Sequence, residues 1–170
     1  MKRYYHEFFT LAVLALCVAS CKKSSTSTTT PTPTPGPTAV AFTYKVDGGA
    51  AITADSAVAT LYNLSSGTRY MDVYVYKGGN EVLEFHFAPT TGSKNADTTL
   101  GSAALLTYMA SPVMSFDSQS GNLNVTTCDT TGNKIEGDFN FVGKQYPYST
   151  TTVTHAISEG HMIVTKVTHQ

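Results

Sequence analysis

The 170-residue chain has no tryptophan, three cysteines and few charges, with Asp, Glu, Lys and Arg together at 14%. Each scarcity excludes something. Without tryptophan, the chain lacks the flat side chain best suited to a dedicated sugar-stacking platform. Eleven basic residues against twelve acidic ones leave no excess of positive charge for a nucleic-acid footprint. No apolar run approaches the roughly 20 residues that a membrane-spanning helix needs. No window of helical length carries an apolar 3.6-residue period with caps, so a helical bundle is not expected. There is no Gly-x-Ser-x-Gly elbow and no Asp-x-Asp-x-Asp-Gly calcium loop. His86, His155, His161 and His169 include no pair at metal-binding i, i+2 or i, i+4 spacing. The sequence therefore assigns no catalytic residue, no cofactor and no metal ligand, and an enzyme is not expected.

What is present begins with an address. Lys2 and Arg3 precede a short apolar run, Leu11 to Val18, and small residues then lead to Cys21. A positive end, a short apolar core and small residues before a cut describe a secretory signal peptide over residues 1–20. Val18-Ala19-Ser20-Cys21 resembles the bacterial lipobox. That resemblance implies a diacylglycerol on the Cys21 sulfur, cleavage before Cys21 and acylation of the new N-terminus. One acyl chain gives only marginal membrane binding at about 0.8 kcal/mol per buried methylene. Three chains on one residue make a stable anchor, so the membrane is a partner through Cys21. Cleavage leaves nine basic residues against eleven acidic ones. It also removes Cys17, which leaves Cys128 without an intrachain partner. Cys128 reads first as a packed thiol, with an intermolecular bridge or a reactive site as alternatives.

Residues 21–38 form a tether. Lys22 to Thr38 contains no aliphatic or aromatic residue beyond proline, so it cannot bury enough surface to fold. Its Thr-Pro alternation favours extended polyproline II geometry and a spacer of roughly 50 Å. In enteric bacteria an Asp after the lipidated cysteine retains a lipoprotein in the inner membrane, whereas Lys22 stands here and favours the outer membrane. Surface-exported lipoproteins of the Bacteroidota carry acidic residues at this point. Lys22, Lys23 and Ser24 therefore favour the periplasmic face.

From residue 39 to 170 the texture is that of short strands. Runs of alternating residues cover Val40 to Val46, Ser56 to Tyr62, Arg69 to Tyr76 and Glu81 to Phe87, the last two joined by Lys77-Gly78-Gly79-Asn80. Ala88 to Thr99 reads as a loop. Leu105 to Met109 and Val113 to Phe116 follow, split by Ser111-Pro112. Asn122 to Cys128 and Lys134 to Val142 flank a turn at Asp129-Thr130-Thr131-Gly132-Asn133. The final hairpin is expected from Val153 to Ile157 and His161 to Val167, turning at Ser158-Glu159-Gly160. This spacing predicts one all-β domain, an antiparallel β-sandwich or a β-barrel-like closure. The expected core is Phe42, Leu61, Val73, Val75, Leu83, Phe85, Val125, Phe139, Phe141 and Ile163.

Three segments carry a further resemblance. Phe42-Thr43-Tyr44-Lys45-Val46-Asp47-Gly48 matches an opening strand that runs from an aromatic residue to Val-Asn/Asp-Gly. Ser120 to Thr126, Asp129 and Ile135-Glu136-Gly137-Asp138-Phe139-Asn140-Phe141 match a central hairpin, and Ile157-Ser158-Glu159-Gly160 a closing turn. In these the domain resembles a family of small Bacteroidota lipoproteins of unknown function. The family's tryptophan after the first glycine is replaced by Ala50-Ala51-Ile52. The resemblance implies an all-β lipoprotein domain and carries no catalytic residues.

The most suggestive chemistry is a tyrosine stripe. Alternation along Arg69 to Tyr76 puts Tyr70, Asp72, Tyr74 and Tyr76 on one face and Met71, Val73 and Val75 on the other. Such a row suits cross-strand pairing with its hydroxyls in water; it could also stack on sugar rings while Asp72 binds hydroxyls. His155 and His161, with Glu159, would come near each other across the expected last hairpin, though solvated strand histidines are the favoured reading. Glu81 and Glu84, three apart on a strand, point to opposite faces and make a poor acid pair. Asp55-Ser56-Ala57, Asp97-Thr98-Thr99 and Asp129-Thr130-Thr131 resemble the Bacteroidota O-glycan acceptor motif, with Thr98 and Thr130 in expected loops. The reading is of a membrane-anchored, non-enzymatic binding or scaffold domain that meets another envelope protein, with glycan binding in a polysaccharide uptake system as the alternative.

Overall fold

The computed structural model describes residues 42–98, 103–147 and 153–170. The expected signal peptide over residues 1–20, Cys21 and the expected tether over residues 21–38 lie outside the described residues. Among those described there is no helix, and the chain folds into eleven strands. They are β1 (Phe42–Val46), β2 (Ile52–Thr53), β3 (Ser56–Asn63), β4 (Arg69–Lys77), β5 (Asn80–Phe87), β6 (Gly92–Asn95), β7 (Ala104–Ser111), β8 (Met114–Asp129), β9 (Lys134–Tyr146), β10 (Thr154–Val164) and β11 (Val167–His169).

All belong to one sheet in the order β11-β3-β4-β5-β7-β8-β9-β10-β1-β2, with β6 paired to β8 off that path. The expected all-β, barrel-like fold is what forms. Two short connections make the sheet curl. Ala54 and Asp55 alone join β2, at one edge, to β3, which lies next to β11 at the other edge. Thr165 and Lys166 alone join β10 to β11, which lies beyond β3. Linkers this short span roughly 10 Å at most, so strands far apart in sheet order must lie close in space. The β11–β3 pair is parallel, whereas every other strand pair is antiparallel. The sheet is thus mixed, because the chain runs from β10 into β11 through a two-residue link without reversing as a hairpin would.

The hairpin of β4 and β5 follows its sequence closely. Gly78 and Gly79 have φ of 58° and 78°, which a two-residue type I′ turn needs at both central positions. Met71, Val73 and Val75 are fully buried, as are their β5 counterparts Leu83 and Phe85. The curl brings three rings from distant strands together: Phe42, Phe85 and Phe139 have centroids 4.7–5.7 Å apart. Burying a large apolar side chain is worth about 1.5–3 kcal/mol, so this trio and its aliphatic neighbours hold the curled sheet shut.

Three expectations are corrected. Met114 to Phe116 and Asn122 to Cys128 are parts of one sixteen-residue strand, β8, which passes a register shift between Ser118 and Ser120, while Val113 stays in the turn before it. The expected loop after Ala88 contains β6, which exists only because β8 offers it a partner. The two arms of the expected final hairpin join as a single strand, β10, from Thr154 to Val164, and Val167 opens β11. Ser158-Glu159 forms a bulge in β10, with Glu159 at φ 49°, and pairing with β9 resumes at Gly160. A bulge inserts one residue and reverses the alternation beyond it. Ile157, Gly160, Met162 and Val164 therefore face inward, and Ile163 is only half-buried while Met162 takes its core place. The other nine expected core residues are buried.

Candidate functional site

Two walls of the curled sheet carry polar chemistry on their outer faces. The first is built on β3, β4 and β5. Alternation turns Tyr70, Asp72, Tyr74 and Tyr76 outward, opposite the buried Met71, Val73 and Val75. Pairing places Tyr62 across from Tyr70 and Asp72 across from His86. The rings of Tyr62 and Tyr70 stack at 4.6 Å and 11°, and His86 lies 4.7 Å from Tyr70. Tyr70 thus has a ring against it from each neighbouring strand. His86 Nδ1 and Asp72 Oδ1 are 2.6 Å apart, and the Tyr74 hydroxyl donates to Asp72 Oδ2 at 3.3 Å. Asp72 is 9% exposed, so its two oxygens serve this cluster and do not reach solvent freely.

Burial, then the charges of Asp72 and Glu84, push the Tyr74 hydroxyl well above its ordinary pKa. Burial, then Glu81 and Asp72, raise the Glu84 carboxyl. A hollow of about 230 Å³ opens beside this wall, lined in part by Arg69, Tyr70, His86 and Leu105. The four stripe residues share one face, as alternation predicts. They are half-buried or buried, with Tyr74 bonded to Asp72 and Tyr70 stacked on Tyr62, not laid out as an open platform.

The second wall is built on β8, β9 and β10. Asn122 pairs with Asn140, and Asn124 with Asp138, which in turn pairs with His161. Between them lies a hollow of about 350 Å³, its sides formed by these residues and Glu159. Sequence reasoning passed over this wall. The signal for it was Asn122-x-Asn124 facing Asp138-x-Asn140, a polar period of two on both arms of one hairpin.

His155 and His161 do not face each other, because the segment joining them is a strand and not a turn. His161 Nδ1 lies 2.9 Å from Asp138 Oδ1 on the outer wall. The His155 ring packs edge-on against Phe116 at 4.4 Å and reaches Asp47 Oδ2 at 2.6 Å. The Ala156 amide, followed by His155, holds the Asp47 carboxyl below its usual value. Among the described residues, no three His, Cys, Asp or Glu side chains gather to hold a metal ion.

Thr98 is exposed, and its hydroxyl accepts a hydrogen bond from Gln119 Nε2 at 3.2 Å. Thr130 is half-buried in the β8–β9 turn, where Asp129 Oδ1 accepts the amides of Thr131 and Gly132. Cys128 packs against the core, and burial pushes its thiol up while Lys94 and Arg69 pull it down. Thr99 and Cys21 lie outside the described residues. Comparison of the chain with protein-family models, curated proteins and solved structures returns no match.

Proposed function

We propose that this chain is a lipid-anchored envelope protein whose β domain is a non-enzymatic binding or scaffold module working through its outer surface. Cys21 carries the anchor, residues 22–38 extend the domain from the outer membrane, and the periplasmic face is the favoured side. The observation that supports surface action is the packed interior. Small barrels either fill their inside with side chains or keep a ligand there. Here Leu61, Phe42, Phe85, Leu123, Ile135 and Phe139 are all 2% exposed or less and occupy the space an internal ligand would need. Partners are then met by outward side chains.

Two measurements on cells test this. Cys21→Ala should move the protein from the membrane to the soluble fraction, with loss of incorporated labelled palmitate. Protease added to intact cells should leave the domain untouched until the outer membrane is breached. Degradation without breaching would move the domain to the cell surface. Membrane retention by the alanine variant would remove the anchor from this reading.

The alternative, a glycan-binding accessory of a polysaccharide uptake system, draws less support from the Tyr70, Asp72, Tyr74 and Tyr76 face than the alternation alone suggested. Asp72 is engaged by His86 and Tyr74, and Tyr70 is stacked on Tyr62.

A further inference from the structure

We infer that the hollow on the outer wall of β8, β9 and β10 is a binding site for a neutral saccharide. The inference rests on the non-catalytic surface-binding reading above and names the ligand class. It starts from the shape. A pleated wall between fully paired strands is shallow, yet this one holds about 350 Å³, within the usual range of small-ligand sites. The bulge at Ser158-Glu159 makes the difference, because it breaks the register between β10 and β9. Phe139 and Gly160 also line the hollow. Both face inward, so the outer side meets only their backbone.

The fold protects this geometry. A Cβ on Gly160 would lie about 2.5 Å from the Phe139 ring, so the bulge closes only over glycine. That ring belongs to the central aromatic trio. The floor of the hollow is therefore tied to the core and pre-formed.

The charges decide the ligand class. Both carboxylates at the hollow already have a partner: Asp138 lies 2.9 Å from His161 Nδ1, and Glu159 is ion-paired with Lys45 at 2.7 Å. Neither carboxylate stands alone to hold a free cation, and no lysine or arginine lines the hollow to hold an anion. What remains open is carboxamide. Asn124 and Asn140 are exposed and make no side-chain hydrogen bond among the described residues, while Asn122 donates to Ser93 at 2.7 Å and keeps its carbonyl oxygen. Each carboxamide offers two donors and an acceptor with two lone pairs. Neighbouring hydroxyls of a sugar, each both donor and acceptor, match that set. An extended peptide matches it less well, because strand addition needs an unpaired edge. At the hollow, β9 is paired on both sides, by β8 and β10, and β10 by β9 and β1. No exposed tyrosine or phenylalanine ring lines the hollow, so affinity per site is expected to be weak and gained over many repeats of a polymer.

Native affinity electrophoresis of the detergent-extracted mature lipoprotein tests this. The gels would contain a β-glucan, a xylan or a mannan as neutral probes and polygalacturonate as the charged one. Retardation by at least one neutral polysaccharide is expected, with an apparent affinity about tenfold lower for Asn124→Ala/Asn140→Ala. Both positions are exposed, so circular dichroism should show the variant folded. Free mobility in every neutral gel would overturn the inference. So would retardation by polygalacturonate alone, or retardation that survives the double substitution. Loss of retardation on Tyr70→Ala, with the asparagine variant still retarded, would give the sugar to the other wall. Release of reducing ends from a retarding polysaccharide would instead overturn the non-catalytic reading and leave the site standing.

Discussion

The tyrosine wall of β3–β5 and the asparagine wall of β8–β10 share one core and one pleat, yet they handle polar atoms in opposite ways. On the tyrosine wall the polar groups close on each other: Asp72 takes His86 and Tyr74, and Tyr70 lies between Tyr62 and His86. On the asparagine wall the charged groups are paired, while the carboxamides of Asn124 and Asn140 stay open to solvent. A polar group that already has partners contributes to stability and has little left to offer a ligand. A polar group in water costs nothing to leave open and can exchange its water for a ligand. By that contrast, the wall that looks richer in chemistry is the more structural of the two.

The strongest way to break the comparison is to remove what the walls share. Phe139→Ala deletes a ring that touches both Phe42 and Phe85. Buried Phe→Ala changes cost about 3–5 kcal/mol, and both walls should be lost in one urea transition. Two separate transitions would mean that the walls fold independently. Next in size is Asp72→Ala, which leaves His86 and Tyr74 without their acceptor at a nearly buried position. A loss of about 1–3 kcal/mol is expected. Asp138→Ala on the other wall, at a side chain 63% exposed, should stay within about 0.5 kcal/mol. Equal costs from the two aspartates in urea titrations would erase the distinction between a closed wall and an open one.

Local alternation made the tyrosine wall legible. Arg69 to Lys77 sorts its residues correctly to two faces, and Lys77-Gly78-Gly79-Asn80 announces its own turn. What could not be read locally depends on pairing at a distance. Ser158-Glu159-Gly160 carries residues that suit a turn equally well. They form a bulge because β1 and β9 pair with the segments on both sides of them. Gly92 to Asn95 has no apolar alternation and becomes a strand only against β8. The parallel pairing of β11 with β3 follows from a two-residue link whose consequences appear only once the sheet has curled. The asparagine wall went unread for a related reason. Its residues are ordinary exposed strand polar groups, and only the bulge beside them turns their surface into a hollow.

The smallest expected effect separates the walls by pH. Glu84 on the tyrosine wall has its carboxyl raised, first by burial and then by Glu81 and Asp72. Above its ordinary value of 4.5 the folded state therefore binds more protons at this site than the unfolded chain does. Stability at this position falls as pH rises through that window. Glu136, next to the asparagine wall, has its carboxyl lowered by hydrogen bonds from Lys134 and Thr127. Here the unfolded chain binds more protons, so the contribution is complete above 4.5 and is lost as pH falls toward the folded value. The two glutamines should then move in opposite directions. Relative to the parent, Glu84→Gln should gain thermal stability between pH 4 and pH 7, and Glu136→Gln should lose it. Tm measured across that range for both variants gives the slopes. If the slopes share a sign, Glu84 is solvated in the folded protein and its wall is less closed than its geometry implies.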